Sequence, residues 1–252
     1  MRIAICISGH LENWESKYDN WKNLFFKIIS SSNYINTNSS FDIFVHTWDF
    51  DITPNGEVVN IHNSKLLDFQ NFIKPIDIKI DNYAKYSSRG DTLTQFKHQH
   101  FNSTEQPSLL VKYGPELYGI MMAAHIKRNY EIVNNFEYDM CFRLSTDVDI
   151  TDNIASTIID NFKITNDKHI HMANVIKTFE FPYDVVNYDL FFANSQTFDI
   201  ICSMYNIIPL LKTEHFPKNI SINYMFGYFL RMFDIKINRL NIITKNIKTN
   251  LI

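Results

Sequence analysis

Arg2-Ile3-Ala4-Ile5-Cys6-Ile7-Ser8-Gly9 is a short apolar run, rich in β-branched residues, that stops at a turn-forming glycine. A run without polar alternation suits a strand buried on both faces, as in a parallel sheet. From about Glu12 to Ser30, Trp14, Trp21, Leu24, Phe25 and Ile28 recur at helical spacing, so an amphipathic helix follows the strand. The chain therefore opens as a β-α unit.

Working outward, Phe41 to Trp48 is a second buried strand, and a helix near Ser64 to Phe72 with a strand at Ile76 to Ile80 completes another unit. Asp81 to Gly114 has no sustained period and is read as a long irregular segment. Pro115 then opens a helix marked by Leu117, Ile120, Met121, Ala124, Ile126, Tyr130 and Val133, with a strand at Tyr138 to Leu144 after it. The second half predicts helices near Asp152 to Phe162, Gln196 to Ile207 and Ile220 to Phe233, and strands at Lys168 to Met172, Tyr188 to Ala193 and Asp234 to Leu240. Alternating strands and helices argue for an α/β fold with a mostly parallel central sheet flanked by helices. No repeat or linker divides the 252 residues, so one domain, 1–252, is expected.

Composition narrows the function. At 45% hydrophobic and 15% aromatic content, the chain has enough apolar side chain for a full core. A formal charge of -3 with interspersed signs gives no field that would draw it to nucleic acid or an anionic membrane. Cys6, Cys141 and Cys202 lie in apolar runs without metal-binding spacing and read as buried, reduced thiols. Met1 to Ser8 is too short for a signal peptide, and no stretch reaches the ~20 apolar residues of a membrane span, so a cytoplasmic protein is expected.

In an open α/β sheet the ligand crevice lies beyond the carboxyl ends of the strands. That directs attention to Ser8-Gly9-His10, Thr47-Trp48-Asp49, Ser145 to Asp149, and Asn194-Ser195. With six glycines and neither GxGxxG nor GxxxxGK[ST], the chain has no glycine-rich phosphate cradle. Phosphates would be neutralised by a carboxylate-held metal instead. Two Asp-x-Asp triplets offer one: Asp49-Phe50-Asp51, and Asp147-Val148-Asp149, which follows a strand and the basic Arg143. A solvated turn capping the next helix is the structural alternative for the second.

Four segments, taken in order, resemble a family of viral and bacterial glycosyltransferases with the GT-A fold that build surface polysaccharides, including capsid glycans of large DNA viruses. They are Ile3 to His10, Phe41 to Asp49, Phe136 to Asp149, and Tyr188 to Ser195. The resemblance implies a single GT-A domain that moves a sugar from a UDP- or GDP-sugar to a glycan or glycoprotein acceptor, with Mn2+ or Mg2+ as cofactor. It places Ser8, Gly9 and His10 along the nucleotide, with Trp48 and Asp49 in the same pocket. Asp147 becomes the principal metal-site acid, with Asp149 its partner, and Arg143 meets a phosphate or supports the acid loop. Where such families carry an Arg soon after the first strand's glycine, this chain has Leu11-Glu12.

Deprotonating an acceptor hydroxyl needs a carboxylate. Asp189, at the start of a late strand, is the chosen base, ahead of Asp184 and Glu214; a backbone-bound strand-entry Asp is its structural alternative. His215 is the candidate third metal ligand. Lys97-His98-Gln99-His100 is read as a solvated loop, His169 and His171 as strand residues sharing a face, and Trp14, Trp21, Met121 and Met122 as core. Two rival functions remain open: a sugar nucleotidyltransferase, and a non-catalytic glycan-binding protein on the same fold.

Overall fold

The computed structural model describes residues 2–11, 14–31, 40–52, 58–88, 108–146, 148, 157, 168–173, 175–176, 185–207 and 222–240. In chain order the first half comprises β1 (Arg2–Ser8), α1 (Trp14–Ser31), β2 (Ser40–Trp48), β3 (Phe50–Ile52), β4 (Val58–Asn60), α2 (Asn63–Ile73), β5 (Asp77–Asp81) and α3 (Tyr83–Ser88). The long helix α4 (Ser108–Asn134) leads to β6 (Met140–Ser145), followed by β7 (His169–Ala173), β8 (Val175–Ile176) and β9 (Val185–Val186). Then come β10 (Leu190–Ala193), α5 (Ser195–Cys202), α6 (Met204–Ile207), α7 (Ile222–Met232) and β11 (Lys236–Leu240).

The main sheet has seven strands in the order β11-β7-β10-β6-β1-β2-β5. The pairs β6–β1, β1–β2, β2–β5 and β7–β11 are parallel, while β10 runs antiparallel to both β6 and β7. The fold is α/β with a mostly parallel sheet. The reversal of β10 was invisible in the sequence because a strand buried on both faces shows the same apolar run in either direction. From β1 the chain builds outward to β2 and β5 on one side and to β6 on the other. The topological switch point, and with it the expected crevice, lies at the carboxyl ends of β1 and β6.

Helices cover both faces. Ile3, Ile5, Ile7, Val45, Phe142, Leu144, Leu190 and Phe192 point to the side closed by Trp14 and Trp21 of α1 and Phe69 and Ile73 of α2. Ala4, Cys6, Phe44, Cys141, Phe191 and Ala193 point to the side closed by α4, α5 and α7. Each side chain of this size moved out of water contributes roughly 1.5–3 kcal/mol. Trp14, Trp21 and Met121 are core, and all three cysteines are free and buried.

Three local differences from the expectation have physical causes. Helix α4 starts before Pro115, which sits inside it; the missing N–H there removes one ladder bond but does not stop the helix. The inward stripe of α4 runs Leu117, Ile120, Ala124, Lys127, Glu131, so Val133 is 81% exposed while a charged pair takes the buried positions. Helix 196–207 divides at Ser203 into α5 and α6. The short pairs β3–β4 and β8–β9 and the helix α3 were not anticipated. The expected helix at 152–162 lies outside the described residues apart from Thr157. Among the described residues no helix is long and apolar enough to cross a membrane.

Candidate functional site

The ends of β1, β2 and β6 are stitched together at Gly9. Its φ of 144° is one that side-chain-bearing residues rarely adopt, and a Cβ there would collide with Thr146 Oγ1. Thr47 Oγ1 donates to the Gly9 carbonyl at 3.0 Å, and the Thr146 amide donates to the Ser8 carbonyl at 3.4 Å. Beyond β6 the chain is gripped from α1: Lys17 Nζ donates to the Thr146 carbonyl at 3.2 Å, and Trp21 Nε1 to the Val148 carbonyl at 3.0 Å. The Val148 amide closes a turn onto the Ser145 carbonyl at 3.2 Å, and its side chain is buried with Leu11, Trp14 and Trp21.

Ser8 faces α4 and is buried under Gly119, whose absent Cβ would stand 3.5 Å from Ser8 Oγ and 3.0 Å from His46 Nδ1. Ser8 is thus buried beneath the carboxyl end of β1, and Gly9 and His10, just beyond it, are half-buried. His46 Nε2 lies 3.2 Å from Asp81 Oδ2, which also accepts from Tyr118 Oη at 3.0 Å. The hydrogen bond from His46 is the main cause that pulls Asp81 down to about 2, while burial pushes the His46 imidazole below its usual range. A neutral imidazole donating Nε2–H to a carboxylate leaves Nδ1 as an acceptor, and this atom has no hydrogen-bond partner among the described residues.

Trp48 is buried among Tyr83, Tyr86 and Tyr118, stacked on the last at 5.6 Å. Asp49 is engaged in the fold: its carboxylate accepts from Asn82 Nδ2 at 2.5 Å and from the Tyr83 amide at 3.0 Å, at the start of α3. His10 meets Phe50 edge-on at 4.6 Å.

Arg143 is 1% exposed, which corrects the expectation of direct phosphate contact; support of the neighbouring segment remains. Its Nη1 donates to the Leu144 carbonyl, while Nε and Nη2 have no partner among the described residues. Burial pushes the guanidinium below its usual range, opposed by Glu116 and Asp189. Because β10 is reversed, its first residues lie at the carboxyl end of β6: the Asp189 carbonyl accepts from the Ser145 amide at 2.9 Å. The same reversal sends Asn194 and Ser195 to the opposite edge, a correction to their placement at the crevice. There Asn194 caps α5, and Ser195 Oγ bridges Lys127 Nζ and Glu131 Oε1 at 2.6 Å each.

Asp147, Asp149, His215, Asp184, Glu214 and the Lys97 to His100 segment lie outside the described residues, as do the side chains of Leu24, Phe25 and Ile28. Among the described residues no three His, Cys, Asp or Glu side chains are grouped to hold a metal. His171 stacks on Phe192 at 4.5 Å and 2°, as a strand residue. Sequence reasoning did not pick out Thr146, Lys17 or Glu116. Thr146 stood inside the motif, whereas Lys17 and Glu116 read as ordinary helix residues until packing brought them to the sheet edge.

Among solved structures the chain is similar to mouse xyloside xylosyltransferase 1 in its apo form, with a TM-score of 0.46 and 9% identity over 95% of this chain and 85% of that one. No protein-family model matches the chain, and no curated protein does. A likeness that faint fixes no shared chemistry, so the functional reading stands on the residues at the β1–β6 switch point.

Proposed function

We propose that the chain is a glycosyltransferase of the GT-A type, transferring a sugar from a UDP- or GDP-sugar to a glycan acceptor. The observation that carries this reading is the contact of Thr146 on Gly9. It sets the Asp147-Val148-Asp149 triplet, by sequence, directly after the point where β1 and β6 meet at the switch point. Carboxylates at 147 and 149 are hard oxygen donors suited to Mg2+ or Mn2+, with His215 as a third ligand. When bound, such a cation supplies positive charge to a departing diphosphate.

The rest falls to the chain's own groups. Gly9 and His10 border the nucleotide, and Trp48 and Asp49 shape the wall beside it. Lys17, held at the Thr146 carbonyl, adds a cation next to the triplet in a chain that has Leu11-Glu12 after its first turn. Asp189 accepts the proton of the acceptor hydroxyl. The test is a thermal-shift series of UDP- and GDP-sugars with and without Mn2+, followed by donor hydrolysis in Asp147→Ala. A ligand bound by the native state alone raises the melting point. Metal-dependent stabilisation by one donor, with hydrolysis lost in a folded Asp147→Ala, is the expected outcome; hydrolysis unchanged in that variant removes the site assignment.

A further inference from the structure

Thr146 and Val148 stand on either side of position 147, and both are buried. Every backbone polar group of the two is engaged. The Thr146 amide donates to the Ser8 carbonyl at 3.4 Å, and the Val148 amide to the Ser145 carbonyl at 3.2 Å. Both carbonyls are taken by α1: that of Thr146 accepts from Lys17 Nζ at 3.2 Å, and that of Val148 from Trp21 Nε1 at 3.0 Å. A solvated turn leaves its carbonyls to water, whereas here one helix supplies side-chain donors to the peptide groups on both sides of a single acid. A buried indole ordinarily finds some acceptor, and α1 itself offers the comparison. Trp14, two turns earlier and also 2% exposed, packs edge-on against Phe69 at 5.1 Å, yet its Nε1 has no hydrogen-bond partner among the described residues. The core beneath α1 thus accepts an indole without a bond, and at Trp21 the N–H is directed at the acid segment.

We propose that Lys17 and Trp21 are positioning residues for the acidic triplet, fixing the backbone on both sides of Asp147 and so setting how tightly a divalent cation is held there. Neither is a ligand; both act through peptide groups. Because a peptide is planar, holding the Thr146 carbonyl orients the bond that leads into Asp147, and holding the Val148 carbonyl orients the bond that leads into Asp149. Outer partners that orient a metal's ligands are worth roughly ten- to a hundredfold in metal affinity. The role rests on the glycosyltransferase reading above in one respect, that Asp147 and Asp149 bind the metal.

The experiment titrates Mn2+ alone into the unaltered chain, Trp21→Phe, Trp14→Phe, Lys17→Met and Asp147→Ala, following free Mn2+ by electron paramagnetic resonance, with melting points in parallel. Trp21→Phe keeps an aromatic ring and loses the N–H, so it should bind Mn2+ about tenfold or more weakly. Trp14→Phe makes the same change with no bond to lose; it should lower the melting point and leave Mn2+ affinity where it was. Removing the Lys17 charge would by electrostatics alone tighten a neighbouring cation site, so weaker Mn2+ binding in Lys17→Met reads the lost grip on the backbone. Equal Mn2+ affinity in Trp21→Phe and Trp14→Phe, with binding lost in Asp147→Ala, overturns the positioning role and leaves the metal site standing. Should Trp21→Phe not fold, Lys17→Met decides, and affinity there equal to or above that of the unaltered chain overturns the role. No Mn2+ bound by the unaltered chain, or binding kept in Asp147→Ala, removes the metal site itself and the role with it.

Discussion

The sheet has two faces that are packed by different rules. Beneath α1 and α2 the contacts are almost wholly apolar: Ile3, Ile5 and Ile7 alternate down β1, and the Phe142 and Phe192 rings lie tilted to each other with centroids 5.0 Å apart. Beneath α4, α5 and α7 the same strands bury Ser8, His46 and Arg143, and the covering helices bury Lys127, Glu131 and Ser195. The first face is held by volume, where one methyl group more or less is a graded loss. The second is held by partners, and a buried charge that loses its partner is left in a medium that cannot solvate it. The proposed site lies at the carboxyl edge of the sheet, beside this second face.

Conservative substitutions should expose the contrast. Glu131 accepts from Tyr138 N at 2.8 Å, Ser195 Oγ at 2.6 Å and Lys127 Nζ at 3.1 Å. Burial pushes its carboxyl up, but these hydrogen bonds and the Lys127 charge bring it below the ordinary range. Glu131→Gln preserves shape and should still cost about 3 kcal/mol in urea unfolding. A cost below ~1 kcal/mol would show the polar face to be packed like the other. Gly9→Ala comes next, at about 2 kcal/mol from backbone strain alone, with the collision on Thr146 also depressing donor binding in titration calorimetry. On the apolar face Ile5→Val should cost only about 1 kcal/mol by the same urea measurement.

A separate prediction concerns pH. Burial pushes His171 down to about 4 from an ordinary 6.5, so as pH falls below 6.5 the unfolded chain takes the proton first. Stability from this group is therefore present above pH 6.5 and declines as pH drops toward 4. His171→Phe, which keeps a ring against Phe192, should flatten that part of the stability profile; an unchanged slope in melting point against pH assigns it elsewhere.

These contrasts also explain what could be read from residues alone. Strand positions came through because β1, β2 and β6 are continuous apolar runs, and the switch-point rule then pointed to Gly9 and the segment after Leu144. Direction did not come through, so Asn194 and Ser195 were assigned to the wrong edge, and Asp189 was read only as a residue at the start of a late strand, whereas the reversal of β10 sets it at the carboxyl end of β6. The polar face was the least legible part. Lys127 and Glu131 look like a solvated i,i+4 pair on a helix surface, and only the packing of α5 turns them inward. Arg143 was found for its place beside the acids, yet its burial, at 1% exposed, follows from its position in a central strand covered on both faces.

The bond from the Trp21 indole to the Val148 carbonyl has a practical consequence. It ties a fluorophore to the backbone between Asp147 and Asp149, on the same helix whose Lys17 holds the Thr146 carbonyl. Indole emission responds to hydrogen bonding and to nearby charge, so occupancy of the acidic triplet should be visible as a spectral change without any label. Replacing Trp14 by Phe would remove most of the background from the same helix and leave Trp21 as an internal gauge of what happens one residue away.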